Sequence, residues 1–188
     1  MELRFAVGRG TLVLLQGDIT RESTDAIANA ANSGFLGGGG VDGAIHRAAG
    51  RGLLEACREA KKSLPGGRLR TGGTIITPGF SLKARHVIHC VGPIYGEVGG
   101  DDARLLASCY FEALRLCREN GLESIAFPSI STGVHGYPVE EAAPIALGEV
   151  KRALELGDRP REVRFALFDA GTFAAYEEAA RRLFGAPS

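Results

Sequence analysis

The segment from Ala26 to His46 reads AIANAANSGFLGGGGVDGAIH and combines three local patterns. Its apolar start, Ala26–Ala30, predicts a buried strand, because it is short and bounded by turn-forming residues. The next stretch, residues 32–40, holds five glycines and predicts a loop. A helix is then predicted from Val41, since apolar residues recur at helical spacing, with Gly50 and Gly52 loosening it midway: Ala44, Ile45, Ala48, Ala49, Leu53 and Cys57.

The rest of the chain continues this alternation of strands and helices. An early hairpin is predicted from Leu3–Val7 and Thr11–Gln16, joined at residues 8–10. Further strands are expected at Thr74–Thr77, Val87–Val91, Ser124–Phe127 and Val163–Phe168. Helices are expected around Leu105–Cys117 with Gly121 beyond, from about Pro138 to Leu156 with Gly157 beyond, and over Phe173–Phe184.

This order of elements predicts the α/β class, as a three-layer α/β/α fold. The early hairpin indicates a mixed, largely parallel central sheet. Pro144 does not suit a helix interior, so its helix is expected to start late or to kink. No linker or internal repeat interrupts the pattern, and residues 1–188 are therefore predicted to form a single domain.

Composition excludes several classes of protein. The chain has 22 basic and 22 acidic residues, whereas a duplex-DNA binder would show a basic patch. No apolar run approaches the roughly 18 residues of a membrane span, and no secretory signal is visible, so a cytoplasmic location is expected. The four cysteines lack zinc-site spacing, so we expect no metal site and no cofactor, with reduced buried thiols and both Cys109 and Cys117 facing the core.

The glycine run and the helix start together predict an anion site. Glycines let the backbone approach a ligand closely, and a helix N-terminus adds unpaired N–H groups and a positive dipole end. Asp42 and His46 are four residues apart and so share one helix face. Because a carboxylate repels phosphate, Asp42 is better suited to hydroxyl groups or an attacking water. The alternative is a flexible glycine linker with Asp42 as an N-cap.

The same glycines match a dinucleotide-binding pattern. Gly38, Gly40 and Gly43 satisfy G-x-G-x-x-G, which alone is a weak signal. The dinucleotide version needs an acid at the end of the next strand, about twenty residues on. That stretch is predicted as helix here, around Arg58 and Glu59, which argues against a nicotinamide-dependent oxidoreductase.

Three other segments carry candidate binding residues. Residues 128–138 read PSISTGVHGYP, another strand, loop and helix start, with hydroxyl donors at Ser131 and Thr132. Alone this is an ordinary turn, but two such loops could hold one diphosphate from both sides. Asp18, at a strand end, could accept a hydrogen bond from an adenine amino group or simply form a turn. Phe168 could stack on a base or belong to the core.

These stretches, taken together, resemble macrodomains of the MacroD type, a group that includes bacterial O-acetyl-ADP-ribose deacetylases. The motifs are GDIT at 17–20, NAAN at 29–32, GGGGVDGAIH at 37–46, IHCVGP at 88–93 and the segment 126–138. The resemblance runs from about Gln16 to Asp169. It implies a mixed sheet between two helix layers, with an ADP-ribose cleft at the strand ends.

The resemblance also implies how ADP-ribose would be held. Asp18 would accept from adenine N6, with the Ile19 backbone beside it and Phe168 packed on the ring. The diphosphate would lie between two loops, held by Gly40, Val41, Ser131, Thr132, Gly133, Val134 and His135.

At the reacting end, the resemblance implies that Asn32 hydrogen-bonds the distal ribose and that Asp42 orients or activates the water. His46 would support the loop without acting as the base. Position 135 is often Tyr or Phe in this group, so a titratable His135 is expected to make binding depend on pH.

The function expected from this resemblance is hydrolysis of O-acetyl-ADP-ribose, and of mono-ADP-ribose esters on acidic side chains of proteins. The alternative is a module that binds ADP-ribose or ADP-ribosylated proteins without turnover.

Overall fold

The computed structural model describes all of residues 1–188 and contains one seven-stranded sheet. Its strands are β1 (Glu2–Val7), β2 (Gly10–Gln16), β3 (Ala26–Ala31), β4 (Thr74–Pro78), β5 (His86–Val91), β6 (Ser124–Phe127) and β7 (Glu162–Leu167). Its helices are α1 (Gly40–Ala49), α2 (Arg51–Lys61), α3 (Asp102–Glu119), α4 (Val139–Leu156) and α5 (Ala170–Phe184). None of these helices is both long and apolar enough to cross a membrane.

The sheet is mixed, as expected, with the strand order β1-β2-β7-β6-β3-β5-β4. The five inner strands run parallel, while β1 is antiparallel to β2 and β4 is antiparallel to β5. The parallel strands are therefore covered at both edges by an antiparallel neighbour. All five also place their carboxyl ends at the same edge of the sheet.

Helices cover both faces of the sheet, which confirms the three-layer fold. Strand β5 shows the alternation that this requires: Ile88 and Cys90 join the core under α3, α4 and α5, while Val87 and Val91 join the smaller core under α1 and α2. A strand buried on both faces reads as a continuous apolar run. The four cysteines are buried and unpaired, as expected, and both Cys109 and Cys117 belong to the larger core.

Several predicted boundaries differ from the structure; helix α5, for example, begins at Ala170 rather than Phe173. The helix expected from Val41 begins at Gly40 and is two helices, because Gly50 adopts a φ of +84° that ends α1 and precedes α2. The last strand ends at Leu167 rather than Phe168. The Phe168 side chain is 82% exposed, so the core, one of the two alternatives for this residue, is excluded.

Helix α4 neither starts late nor is interrupted at Pro144. It begins at Val139, with Pro138 as its N-cap, and passes through Pro144 without a break in the assigned helix. Proline has no N–H, so the Glu140 carbonyl lacks its donor from the next turn. The Pro144 ring is exposed on the surface of α4 and adds little packing in return.

Replacing Pro144 with alanine should stabilise the protein. We expect Pro144→Ala to raise the free energy of unfolding by about 1–3 kcal/mol, since it restores one helical hydrogen bond and relieves the ring clash. Pro138→Ala is the matched control. Pro138→Ala restores no such hydrogen bond. Its free energy of unfolding should be unchanged or lower by up to about 1 kcal/mol, because alanine makes the unfolded chain more flexible. Urea denaturation measures both, and a destabilised Pro144→Ala variant would contradict this account.

Candidate functional site

The predicted site residues follow the carboxyl ends of neighbouring parallel strands. Along this edge of the sheet the order is Asp18 after β2, Phe168 after β7, the loop from Pro128 after β6, Asn32 after β3 and Gly92 after β5. Ligands of α/β sheets characteristically bind outside this edge. The topology therefore arranges segments that are distant in sequence into one row.

A cleft of about 380 Å³ opens between the loops after β3 and β6. Its walls include most of the predicted central and reacting-end residues: Asn32, Gly40, Val41, Asp42, Ser131, Gly133, Val134 and His135. The two glycine-containing loops thus face one another across a shared groove. Eight further lining residues were not predicted as binding residues, although most lie within the quoted motifs: Ala30, Ala31, Gly38, Gly39, Gly92, Pro128, Ser129 and Ile130.

Five predicted residues lie outside the cleft lining, among them His46, which was expected to support the loop from behind. Asp18, Ile19 and Phe168 stand further along the strand edge, and the Ile19 side chain is buried in the smaller core. Thr132 lies within the β6 loop, but its hydroxyl is 2.8 Å from the Ser129 hydroxyl, which places it against its own loop.

The β3 side of the cleft offers main-chain donors. Helix α1 begins with Gly39 as an N-cap that has no side chain to satisfy the first amides, and Gly40 adopts a φ of +57°. The first N–H groups of a helix have no intrahelical partner, so these amides can hold an anion.

On the β6 side, the Ser131 and Ile130 side chains pack closely against the backbone of Gly92. Ser131 adopts a left-handed φ of +68°, and its buried Oγ has no hydrogen-bond partner. A Cβ on Gly92 would overlap this oxygen, so only glycine fits at the end of β5. An unpaired polar atom and a sparsely populated backbone conformation in one loop are typical of binding sites.

Asn32 organises the glycine loop that follows it. Its Oδ1 accepts hydrogen bonds from the N–H groups of Gly34 at 3.1 Å and Phe35 at 3.0 Å. Its Nδ2 donates to the Gly37 carbonyl at a longer 3.3 Å. Asn32 is an exposed residue that lines the cleft, so its amide N–H group can also face a ligand.

Asp42 is the buried carboxylate of the cleft. Its Oδ1 accepts a hydrogen bond of 2.8 Å from Asn29 Nδ2 and lies 3.5 Å from His46 Nε2, whereas its Oδ2 has no protein partner. His46 Nε2 makes no hydrogen bond to Asp42 in this geometry. Burial raises the pKa of the Asp42 carboxyl, against opposing effects of the Asn29 amide and His46.

Gly38 separates the two reacting-end side chains. A Cβ at this position would lie 3.1 Å from Asp42 Oδ2 and 3.2 Å from Asn32 Nδ2. The unpartnered carboxylate oxygen and the amide therefore flank one small gap, and any side chain at residue 38 would enter it.

A buried polar chain beneath Asp42 was not predicted. Asn29 Nδ2 lies 3.2 Å from His89 Nδ1, and His89 Nε2 lies 3.0 Å from Thr77 Oγ1. Because the Asn29 amide faces Nδ1 with a donor, that nitrogen accepts and the proton resides on Nε2. His89 thereby fixes which end of the Asn29 amide points at Asp42. The sequence signal was two polar residues, Asn29 and His89, inside otherwise apolar strands.

His89 stays neutral in the folded protein. Its burial, together with the nearby His46, lowers the pKa of His89 to about 3 from 6.5. Burial and the charge of Asp42 raise the pKa of the neighbouring Cys57 thiol to about 11, so that sulfur is not a thiolate nucleophile. Nowhere do three His, Cys, Asp or Glu side chains gather to hold a metal ion.

The depressed pKa of His89 predicts a pH-dependent stability. Between pH 6.5 and pH 3 the unfolded chain binds a proton at His89 that the folded state does not bind. The contribution of neutral His89 to the free energy of unfolding is therefore fully present above pH 6.5 and is lost as the pH falls towards 3. Between pH 7 and pH 4 it should cost the protein roughly 3 kcal/mol of unfolding free energy. His89→Gln should lack this loss in urea titrations at the two pH values.

The control for this prediction is His86→Gln, on the same strand but only half-buried. It should follow the pH dependence of the unaltered protein. Equal pH dependence in the His89→Gln variant would show that His89 is not the group responsible.

Comparison with known proteins assigns the chain to a family. The Macro domain family profile matches residues 28–146. A Macro domain-containing protein of Ralstonia nicotianae is 53% identical over 169 residues, covering 90% of this chain and 94% of that protein.

Solved structures agree in fold. The Oceanobacillus iheyensis macrodomain with ADP is 47% identical, with a TM-score of 0.94 over 97% of this chain and 96% of that one. The Trypanosoma brucei macrodomain in complex with ADP-ribose is 43% identical, with a TM-score of 0.81 over 90% of this chain and 68% of that one. On its sequence and its fold, the chain belongs to the Macro domain family.

Proposed function

We propose that this chain binds ADP-ribose and hydrolyses the acetyl ester of O-acetyl-ADP-ribose, with mono-ADP-ribosyl esters of acidic protein side chains as further substrates. The observation that carries the proposal is the Asp42 carboxylate, buried at the cleft with one unpartnered oxygen beside the Asn32 amide. The relatives from Oceanobacillus iheyensis and Trypanosoma brucei, solved with ADP and with ADP-ribose, support the choice of ligand.

The row of sites along the strand edge suits an extended ligand. Thr20 donates two hydrogen bonds to Asp18 Oδ1, from its N–H at 2.9 Å and from its hydroxyl at 2.8 Å. Asp18 Oδ2 would then accept a hydrogen bond from adenine N6. The same hydrogen bonds lower the pKa of Asp18, so it remains an anionic acceptor. The exposed Phe168 ring would cover the adenine face.

The diphosphate would lie in the cleft between the two loops. The amides at the start of α1 face it from one side and the 131–135 loop from the other, so no lysine or arginine is needed to hold the charge. This placement directs the distal ribose towards Asn32 and Asp42.

Asp42 would then act on the attacking water. Its raised pKa makes it a better proton acceptor than an exposed aspartate, and its repulsion from phosphate favours a role beyond the diphosphate. The water oxygen adds to the acetyl carbonyl carbon, the bond from that carbon to the ribose oxygen breaks, and the ribose oxygen gains a proton. The products are acetate and ADP-ribose. Asn29, oriented by His89, holds the carboxylate at the required angle.

The test is acetate release by purified protein. Asp42→Ala should lower kcat by about 10²–10⁴-fold, the range for loss of a general base, while ADP-ribose affinity measured by calorimetry changes little. Asp42→Asn keeps the shape and the hydrogen bond but cannot accept a proton, so it separates base catalysis from mere positioning of the water. Glu55→Ala, an exposed carboxylate on α2, is the control and should be fully active.

Two results would contradict the proposal. Full activity of Asp42→Ala would remove Asp42 from the mechanism. Tight ADP-ribose binding without release of acetate or ADP-ribose from any ester would identify a binding module instead.

His135 should make ligand binding depend on pH. It lines the cleft and is half-buried, and a protonated imidazole there would attract the diphosphate. We expect ADP-ribose affinity to rise as the pH falls from about 8 to about 5, and His135→Phe to abolish this trend. A flat profile in the unaltered protein, or the same slope in His135→Phe, would disprove the assignment.

A further inference from the structure

A second cavity lies directly behind the glycine wall of the cleft. It measures about 500 Å³ and is lined by Leu36, Gly37, Gly38, Gly43, His46, Arg47, Gly50, Arg51 and Leu54. Gly38 lines both this cavity and the cleft, so the two adjoin at the glycine segment. This cavity, called the arginine cavity below, therefore adjoins the end of the cleft where Asn32 and Asp42 lie.

The arginine cavity is positively charged and contains no carboxylate. Arg47 and Arg51 line it, and neither has a carboxylate oxygen within 4.0 Å. By contrast, Arg181 and Arg182 on α5 each pair with a glutamate one turn earlier. Two guanidinium groups without a carboxylate partner thus line one cavity, and an anionic partner there would offset their charge.

A third arginine stands at the opposite end of the glycine loop. Arg68 Nη2 donates to Ser33 Oγ at 2.5 Å, and Ser33 directly follows Asn32. Arg68 also has no carboxylate within ion-pair distance. Cations therefore flank the loop that borders the reacting end of the cleft.

We infer that the arginine cavity binds acidic residues of a polypeptide that carries ADP-ribose on a carboxylate side chain. The inference rests on the proposed function, because that function places the distal ribose, and thus the attached polypeptide, beside Gly38. From there the polypeptide crosses the glycine wall into the cavity. Only protein substrates would use this surface, since O-acetyl-ADP-ribose carries nothing beyond its acetyl group.

The chemistry of the cavity favours a polypeptide over a nucleic acid. Leu36 and Leu54 give it apolar surface beside the two guanidinium groups, and no Phe, Tyr or Trp is present for a base to stack on. The chain as a whole has no net charge, whereas binding to a phosphate backbone depends on many cations. Binding of a short acidic peptide requires only a few cationic side chains.

The test compares two ADP-ribosylated peptides of equal length, each carrying one glutamate ester. One has Asp and Glu at the flanking positions, and the other has Asn and Gln. We expect kcat/KM for the acidic peptide to be about fivefold higher at low salt, the scale of a few exposed ion pairs, with the preference fading at about 0.5 M NaCl. The double variant Arg47→Gln/Arg51→Gln should lose the preference.

The matched control is Arg58→Gln/Lys61→Gln, which removes two charges from α2 outside the cavity lining and should keep the preference. Acetate release and ADP-ribose affinity should be unchanged in both double variants, which separates this surface from the cleft itself. If no ester is hydrolysed at all, the proposed function fails, and the same preference is then read from peptide binding by fluorescence anisotropy.

Three results would overturn the inference: equal kcat/KM and affinity for the two peptides, an unchanged preference in Arg47→Gln/Arg51→Gln, or a preference lost equally in the control. Faster hydrolysis of an ADP-ribosylated DNA phosphate end than of the acidic peptide, abolished in Arg47→Gln/Arg51→Gln, would assign the cavity to nucleic acid instead.

Discussion

The hydrogen bond from Asn29 Nδ2 to Asp42 Oδ1 joins the middle of the sheet to the first turn of α1. Asn29 lies on the inner strand β3, between β5 and β6, and its side chain is fully buried. The twelve residues between the partners must therefore return to the strand that they left. That return forms the glycine loop, presents the helix amides to the cleft and sets the direction of the carboxylate.

This arrangement lowers the stability of the fold at the cleft. An aspartate whose pKa is raised by burial favours the protonated form in the folded state, so its ionisation at neutral pH reduces the free energy of unfolding. The left-handed Ser131 and its unpartnered hydroxyl add a second local cost on the facing loop. The larger core under α3, α4 and α5 carries no such features and supplies most of the apolar burial.

Local pattern predicted the elements and the two loops well, because strands, glycine runs and helix starts are written in neighbouring residues. Prediction from local pattern failed where the conformation of a single residue determines the structure. Gly50 splits the first helix by adopting a positive φ, and the identical residue at Gly52 remains helical, so composition alone could not choose between them. Pro144 was expected to disturb α4, yet tertiary packing of both flanking faces outweighs its lost hydrogen bond.

The site was predictable in part for the same reason. Asn32, Asp42 and the 131–135 loop belong to contiguous motifs, whereas the link from Asn29 through His89 to Thr77 depends on sheet register. Strand β5 pairs with β3 on one side, where Asn29 is opposite His89, and with β4, which carries Thr77, on the other. These two registers together bring the three side chains into contact. Which strands are neighbours is a property of the whole chain.

The absence of a side chain at Gly38 also bears on how such a domain could change its role. Its φ is not in the left-handed region, so the backbone there would accept alanine without strain. A methyl group would nevertheless enter the gap between Asp42 and Asn32, away from Asp18 and Phe168 at the other end of the strand edge. If the proposed function holds, Gly38→Ala, a one-base codon change, would stop hydrolysis and leave the contacts to adenine in place. A hydrolase of ADP-ribosyl esters and a module that only binds ADP-ribose would then differ by a single substitution.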